Sequence, residues 1–158
     1  AGARAALGTV LAQHGEPTLR FQLPPTLSDA LFDQLLKLLA SVGDRPTVLV
    51  LEQSTPDVFN HGAPVDDVED TTLLAGVIDR FVDLFEALSR CGAVVVVRID
   101  GEVRGGGMIF PALADVVVAT ARATFGLPEI HRGMVPGVVS GALRRRISDA
   151  AVRFHGLT

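Results

Sequence analysis

The chain has 158 residues, 48% of them hydrophobic and 20% charged, with a formal net charge of −4; that is enough apolar material for one domain with a sizeable core and excludes a disordered chain. The acidic balance and the absence of Trp and Tyr argue against a nucleic-acid binder or a stacking platform for sugars, since phosphate contacts need clustered Lys and Arg. The single cysteine, Cys91, excludes a disulfide framework and a Cys-based zinc site, and the apolar runs are too often broken by charge to supply the ~20 residues of a membrane span. The beginning shows no charged segment leading into an apolar one, so a soluble protein in a reducing, cytoplasmic setting is the expectation.

In chain order, Thr18 to Leu23 alternates weakly and reads as a strand that Pro24-Pro25 stops. Thr26 or Ser28 then caps a helix from about Ser28 to Val42, with Leu27, Leu31, Leu35, Leu38 and Leu39 at helical spacing and Gly43-Asp44 at its end. Thr47 to Leu51 is a β-branched apolar run, the pattern of a strand buried on both faces. A loop rich in Pro, Asp, Asn and Gly follows from Glu52 to about Asp70. Thr71 or Thr72 opens a second helix, whose apolar stripe runs from Leu74 through Phe81 to Leu88 and ends near Arg90. Ala93 to Ile99 is another buried strand and leads to Gly105-Gly106-Gly107, a short helix from about Gly107 to Leu113, and a strand from Asp115 to Ala119. Strands alternating with helices in this way predict an α/β fold of parallel crossovers.

The glycine triplet at a strand-to-helix junction lets backbone N–H groups approach a ligand, with the positive end of a helix behind them. The alternative is tight strand–helix packing with no ligand. Neither the dinucleotide spacing Gly-x-Gly-x-x-Gly nor the phosphate-loop Gly-Lys-Ser/Thr is present. An oxyanion needs two such donors, and the loop after Leu51, with Val58 to Ala63, can supply the second from the carboxyl end of a neighbouring parallel strand. A carboxylate, Glu129, follows in Phe125-Gly-Leu-Pro-Glu129, and Pro128 directs it beside an apolar strand, where burial raises a carboxyl pKa toward a working range.

These segments resemble the crotonase superfamily, the enoyl-CoA hydratase/isomerase family. Phe59-Asn-His-Gly-Ala63 is similar to its first oxyanion loop and Asp100-Gly-x-x-x-Gly-Gly-Gly107 to its second. Ala114 to Ala119, Phe125 to Glu129 and Gly133-x-x-Pro-Gly137 match its later strand and catalytic loop. The resemblance implies a spiral of stacked right-handed ββα units forming one domain over 1–158, short of most of the family's C-terminal helices, and a homotrimer. It implies the N–H groups of Ala63 and Gly106 as oxyanion donors, Glu129 as acid/base, and Phe59, Gly62, Gly105, Gly107 and Ile109 around the substrate. It implies no resident cofactor: coenzyme A or phosphopantetheine enters as part of the substrate, so the partner is an acyl-CoA or an acyl carrier protein.

Two positions depart from the family. Ile109 stands where hydratases carry a second glutamate, which leaves one carboxylate, the pattern of isomerases, and some polyketide-pathway members that dehydrate or decarboxylate carrier-bound acyl groups also depart from the two-glutamate arrangement. Pro64 replaces the usual aspartate after Ala63 and restricts the backbone there. The expected function is therefore enolate chemistry on an acyl thioester, as double-bond isomerisation or as dehydration or decarboxylation in polyketide-type biosynthesis. The alternatives are a non-catalytic docking module and a hydratase with a substituted acid/base.

Among the remaining candidates, His61 can act near neutral pH or simply be solvated. His131 can orient Glu129 or face away. Asp66, Asp67, Glu69 and Asp70 lack the pattern of a calcium loop and read as a solvated segment. Ser140 misses the Gly-x-Ser-x-Gly spacing of a nucleophile elbow, Asp115 reads as a structural cap, and Arg144 to Arg146 read as a helix end or as a contact for a phosphate.

Overall fold

The computed structural model describes residues 18–42, 47–64 and 71–157. Strands β1 (Thr18–Leu23), β2 (Val48–Gln53), β4 (Val94–Ile99) and β6 (Val116–Ala119) form a sheet in the order β1-β2-β4-β6, while β3 (Asp57–Asn60), β5 (Gly101–Arg104) and β7 (Thr124–Gly126) form a second one in the order β3-β5-β7. Every pairing is parallel. From β2 onward, each turn of the chain climbs one strand of the large sheet, bends into one strand of the small sheet and returns through a helix or turn. The result is the stacked ββα spiral.

Helix α1 (Asp29–Val42) starts where the sequence spacing places it, with the Ser28 hydroxyl 3.4 Å from the Leu31 N–H it accepts from. Helix α2 (Thr71–Arg90) crosses beside it, and Phe32 meets Phe81 edge to face at 5.2 Å. Leu49, Val50 and Leu51 of β2 and Val95 to Val97 of β4 are buried, as strands covered on both faces require. Within this sheet Glu52, itself buried, takes Arg98 at 2.7 Å and Arg20 at 3.8 Å.

The small sheet is the main difference from the sequence reading. The segment from Glu52 to Asp70 contains β3, a further strand, β5, separates β4 from the glycines, and β7 precedes Glu129. These strands are three or four residues long and carry Asp, Asn, Glu, Arg and Gly, so no apolar alternation marks them. They exist because neighbouring turns of the spiral pair, Asp57 with Gly101 and Glu102 with Thr124. Their bends are tied by Arg122, which reaches Asp100 at 2.7 Å and Asp57 at 3.1 Å, and by Gln53, which accepts the Asp100 N–H at 2.7 Å.

The triplet itself forms a 3-10 turn over Gly105–Met108 that leads into helix α3 (Ile109–Leu113), followed later by α4 (Gly137–Leu143) and α5 (Asp149–Leu157). Asp115 accepts the Val95 N–H at 2.8 Å. Arg144 pairs with Asp149, Arg145 donates to the Ser89 hydroxyl, and Arg146 donates to the Ala112 carbonyl at the end of α3, so this basic run closes helix ends. Gly43-Asp44 and the acidic cluster Asp66, Asp67, Glu69 and Asp70 lie outside the described residues. Among the described residues no helix is long and apolar enough to cross a membrane.

Candidate active site

The site is assembled from two loops at the carboxyl ends of the small sheet. The first leaves β3 through Asn60, which is fully buried and acts as a clamp. Its side-chain N–H donates to the Pro24 carbonyl at 2.8 Å and its oxygen accepts the Gly62 N–H at 2.8 Å. The His61 N–H donates to the Pro25 carbonyl and the Leu27 N–H to that of Gly62, so the loop is held against the Pro24-Pro25 stop. Gly62 has φ +80°, the left-handed region that favours glycine.

The second loop leaves β5 at Arg104. A Cβ on Gly106 would lie 2.3 Å from the Phe81 ring, and one on Gly107 would lie 2.2 Å from the Asn60 carbonyl oxygen. Only hydrogens fit there, which is how the loop settles between α2 and the first loop. Gly106 is the second residue of a 3-10 turn, where an N–H has no intrahelical acceptor. Among the described residues no acceptor is found for the Ala63 N–H. Ala63 and Gly106 line one cavity of about 610 Å³.

Glu129 enters this cavity from a 3-10 turn that Pro128 opens. Its Oε1 lies 3.2 Å from where a Gly105 Cβ would stand, so the carboxyl group covers the glycine that precedes the Gly106 donor. Its Oε2 is buried and has no hydrogen-bond partner among the described residues. Burial pushes the carboxyl pKa up, and the group's own backbone N–H and the Arg132 charge only partly oppose it. A half-buried carboxyl with a free oxygen and a raised pKa is suited to carry a proton. The facing wall is apolar: Leu74, Val77, Ile78 and Phe81 come from α2, and Val139 from α4.

The structure brings Glu129, Ala63, Gly105, Gly106 and His61 to this cavity. His61 also approaches Gly105, its carbonyl oxygen 3.6 Å from the same Cβ position. The His61 ring turns toward Glu102, Nε2 to Oε2 3.4 Å. Gly62 stands behind the lining, packed on Gly106.

Of the residues expected around the substrate, Phe59, Gly62, Gly107 and Ile109 do not line the cavity. Phe59 and Ile109 are both fully buried in the core, Phe59 edge to face with Phe110 at 6.1 Å, and Gly107 is buried against Asn60. The loops give backbone to the site, while these side chains turn inward. His131 and Ser140 also lie outside the lining.

Sequence reasoning missed the roles of Asn60, Glu102 and Arg104. An asparagine beside a buried phenylalanine at a strand end is a signal for the first. The other two become visible only when the small sheet places them on one face.

The model of the enoyl-CoA hydratase/isomerase family matches residues 18–155. The bacillaene synthase dehydratase PksH of Bacillus subtilis (strain 168) is 27% identical over 136 residues, 84% of this chain and 52% of that protein. The 2,3-dehydroadipyl-CoA hydratase of Escherichia coli (strain K12) is 31% identical over 122 residues, 77% of this chain and 47% of that protein. An enoyl-CoA hydratase from Mycobacterium avium has a similar crystal structure, with a TM-score of 0.79 at 29% identity, covering 93% of this chain and 59% of that one. The chain spans about half the length of the curated relatives it matches. With parallel ββα turns, two converging glycine loops and the matched family model together, the chain belongs to the enoyl-CoA hydratase/isomerase family, the crotonase superfamily.

Proposed function

We propose that this chain binds an acyl thioester, of coenzyme A or of an acyl carrier protein, and isomerises a carbon–carbon double bond through an enolate. The observation that carries the reading is the Glu129 carboxyl, half-buried with one oxygen unpartnered, lying over Gly105 beside the Gly106 N–H. The thioester oxygen sits on the N–H groups of Ala63 and Gly106. Each such donor contributes about 3 kcal/mol to a developing oxyanion.

Glu129 takes the α-proton of a β,γ-enoyl thioester. The electron pair moves onto the carbonyl oxygen, and the same carboxyl returns the proton at the γ-carbon, leaving the α,β-enoyl thioester. One acid/base suffices because no water is added, in keeping with a buried Ile109 where a second carboxylate would be needed. A second reading, elimination of water as in polyketide pathways, is favoured by the similarity to the PksH dehydratase.

The test is conversion of a β,γ-enoyl pantetheine thioester to its conjugated isomer, followed by ultraviolet absorption. The 158-residue chain is expected to turn over, and Glu129→Gln to lose about 100-fold or more. Equal rates for the two proteins would sink the proposal.

A further inference from the structure

Adding or removing water at a thioester needs a second proton-handling group besides the one that works at the α-carbon, and Ile109 cannot provide it. The rim of the same cavity carries a second set of polar groups. His61 lines the same cavity from the first loop, its carbonyl oxygen 3.6 Å from the Gly105 Cβ position that the Glu129 carboxyl also approaches. Its Nε2 stands 3.4 Å from Oε2 of Glu102, on the strand that carries the second loop. The other oxygen of Glu102 stands 3.4 Å from the Arg104 guanidinium, which donates to the Thr124 hydroxyl at 2.9 Å across the small sheet. Arg104 in turn lies over Gly126, its Cδ 3.4 Å from where a Gly126 Cβ would stand. Four residues from two strands and a loop thus form one chain of contacts that ends at the cavity, and Glu102 is held from both sides.

We infer that His61 and Glu102 act as a pair in water elimination and addition, with His61 the second acid/base and Glu102 its positioning residue. The inference rests on the thioester reading above. With Nε2 directed to Glu102, Nδ1 is the ring nitrogen left for chemistry, and a fixed carboxylate partner is what sets the tautomer and orientation of a working imidazole.

In a 3-hydroxyacyl thioester, Glu129 takes the α-proton and the α-carbon electron pair forms the new double bond. The bond from the β-carbon to oxygen breaks, and the leaving hydroxyl takes a proton from the His61 imidazolium and departs as water. Addition runs these steps backward. Among the described residues, the charged groups around His61 are Glu102 and Arg104 from β5 and Glu129 and Arg132 from the 3-10 turn.

The experiment follows dehydration of a 3-hydroxybutyryl pantetheine thioester by the 158-residue chain and its variants, with α-proton exchange in heavy water as a parallel assay. Native protein is expected to eliminate water. His61→Gln should lose about 100-fold in kcat and Glu102→Gln about tenfold, with KM of the latter within about twofold. Glu102 is half exposed, so its variant is expected to fold, and melting curves verify this. Nitrogen-15 spectra of His61 give a second readout: one dominant tautomer with the proton on Nε2 in native protein, and a mixed population in Glu102→Gln. Exchange without any water elimination would overturn the inference and leave the isomerase reading standing, as would elimination with rates and tautomers unchanged in Glu102→Gln. No exchange in native protein would overturn both.

Discussion

Gly62 and Gly106 meet so closely that a Cβ on Gly62 would lie 2.8 Å from both the Cα and the N of Gly106. The two glycine loops are therefore packed backbone to backbone, and their spacing is set by the absence of a side chain. Gly62→Ala places a methyl group in that contact and forces a left-handed φ on alanine. It is expected to cost about 2–4 kcal/mol of folding stability, read by urea denaturation, and to depress turnover in whatever fraction remains folded.

Asn60→Ala removes the clamp without touching the cavity. The Gly62 N–H and the Pro24 carbonyl lose their partners in a buried place, a loss of about 3 kcal/mol. The first loop then loses its fixed position. Calorimetry should show the lower Tm, and kinetics a larger fall in kcat than in substrate affinity, because an oxyanion donor acts mainly in the transition state.

Glu129 links the site to stability and pH. Its carboxyl pKa is raised above the ordinary 4.5, chiefly by burial. For a raised carboxyl the folded state holds the proton more tightly than the unfolded one, so the favourable contribution is full below about 4.5 and is lost as pH rises through the folded value. Glu129→Gln should therefore raise Tm relative to native protein at pH 7 and lose that advantage in acid. Activity runs the other way: the base must be ionised, so the rate falls as pH drops through the raised value, and the acidic limb lies above 4.5. Melting curves and a pH–rate profile read the two effects separately.

The pair of Glu52 and Arg98 lies across β2 and β4, at 2.7 Å with the carboxylate almost wholly buried. Arg98→Met leaves Glu52 with Arg20 at 3.8 Å and is expected to cost about 3 kcal/mol at neutral pH. Adding Glu52→Leu should recover most of that loss, since the penalty is the unpaired buried charge. Denaturant unfolding of the single and double variants measures the difference.

The parts of the fold readable from sequence are those whose pattern is local. The leucines of α1 repeat at helical spacing, and Val94 to Val97 is an unbroken run of β-branched residues. β3, β5 and β7 were not readable because each is stabilised by its neighbours in space and carries no periodicity of its own. In the site, the glycine triplet and the Pro128-Glu129 step stand out because few other roles demand those residue types together. Phe59 and Ile109 lie in the core because a chain that presents its N–H groups to a cavity can turn its side chains the opposite way. The Asn60 clamp joins residues 36 apart, and Glu102 gains its meaning only from His61 across the sheet.

The central claim is that Glu129 moves a proton at the α-carbon of a thioester held on Ala63 and Gly106. Its most direct test is deuterium uptake from heavy water into β,γ- and α,β-unsaturated acyl pantetheine thioesters, read by mass spectrometry for native protein and Glu129→Gln. Uptake by the native chain that disappears in the variant is the predicted result. No uptake by a native chain verified as folded, or equal uptake by both, would contradict it.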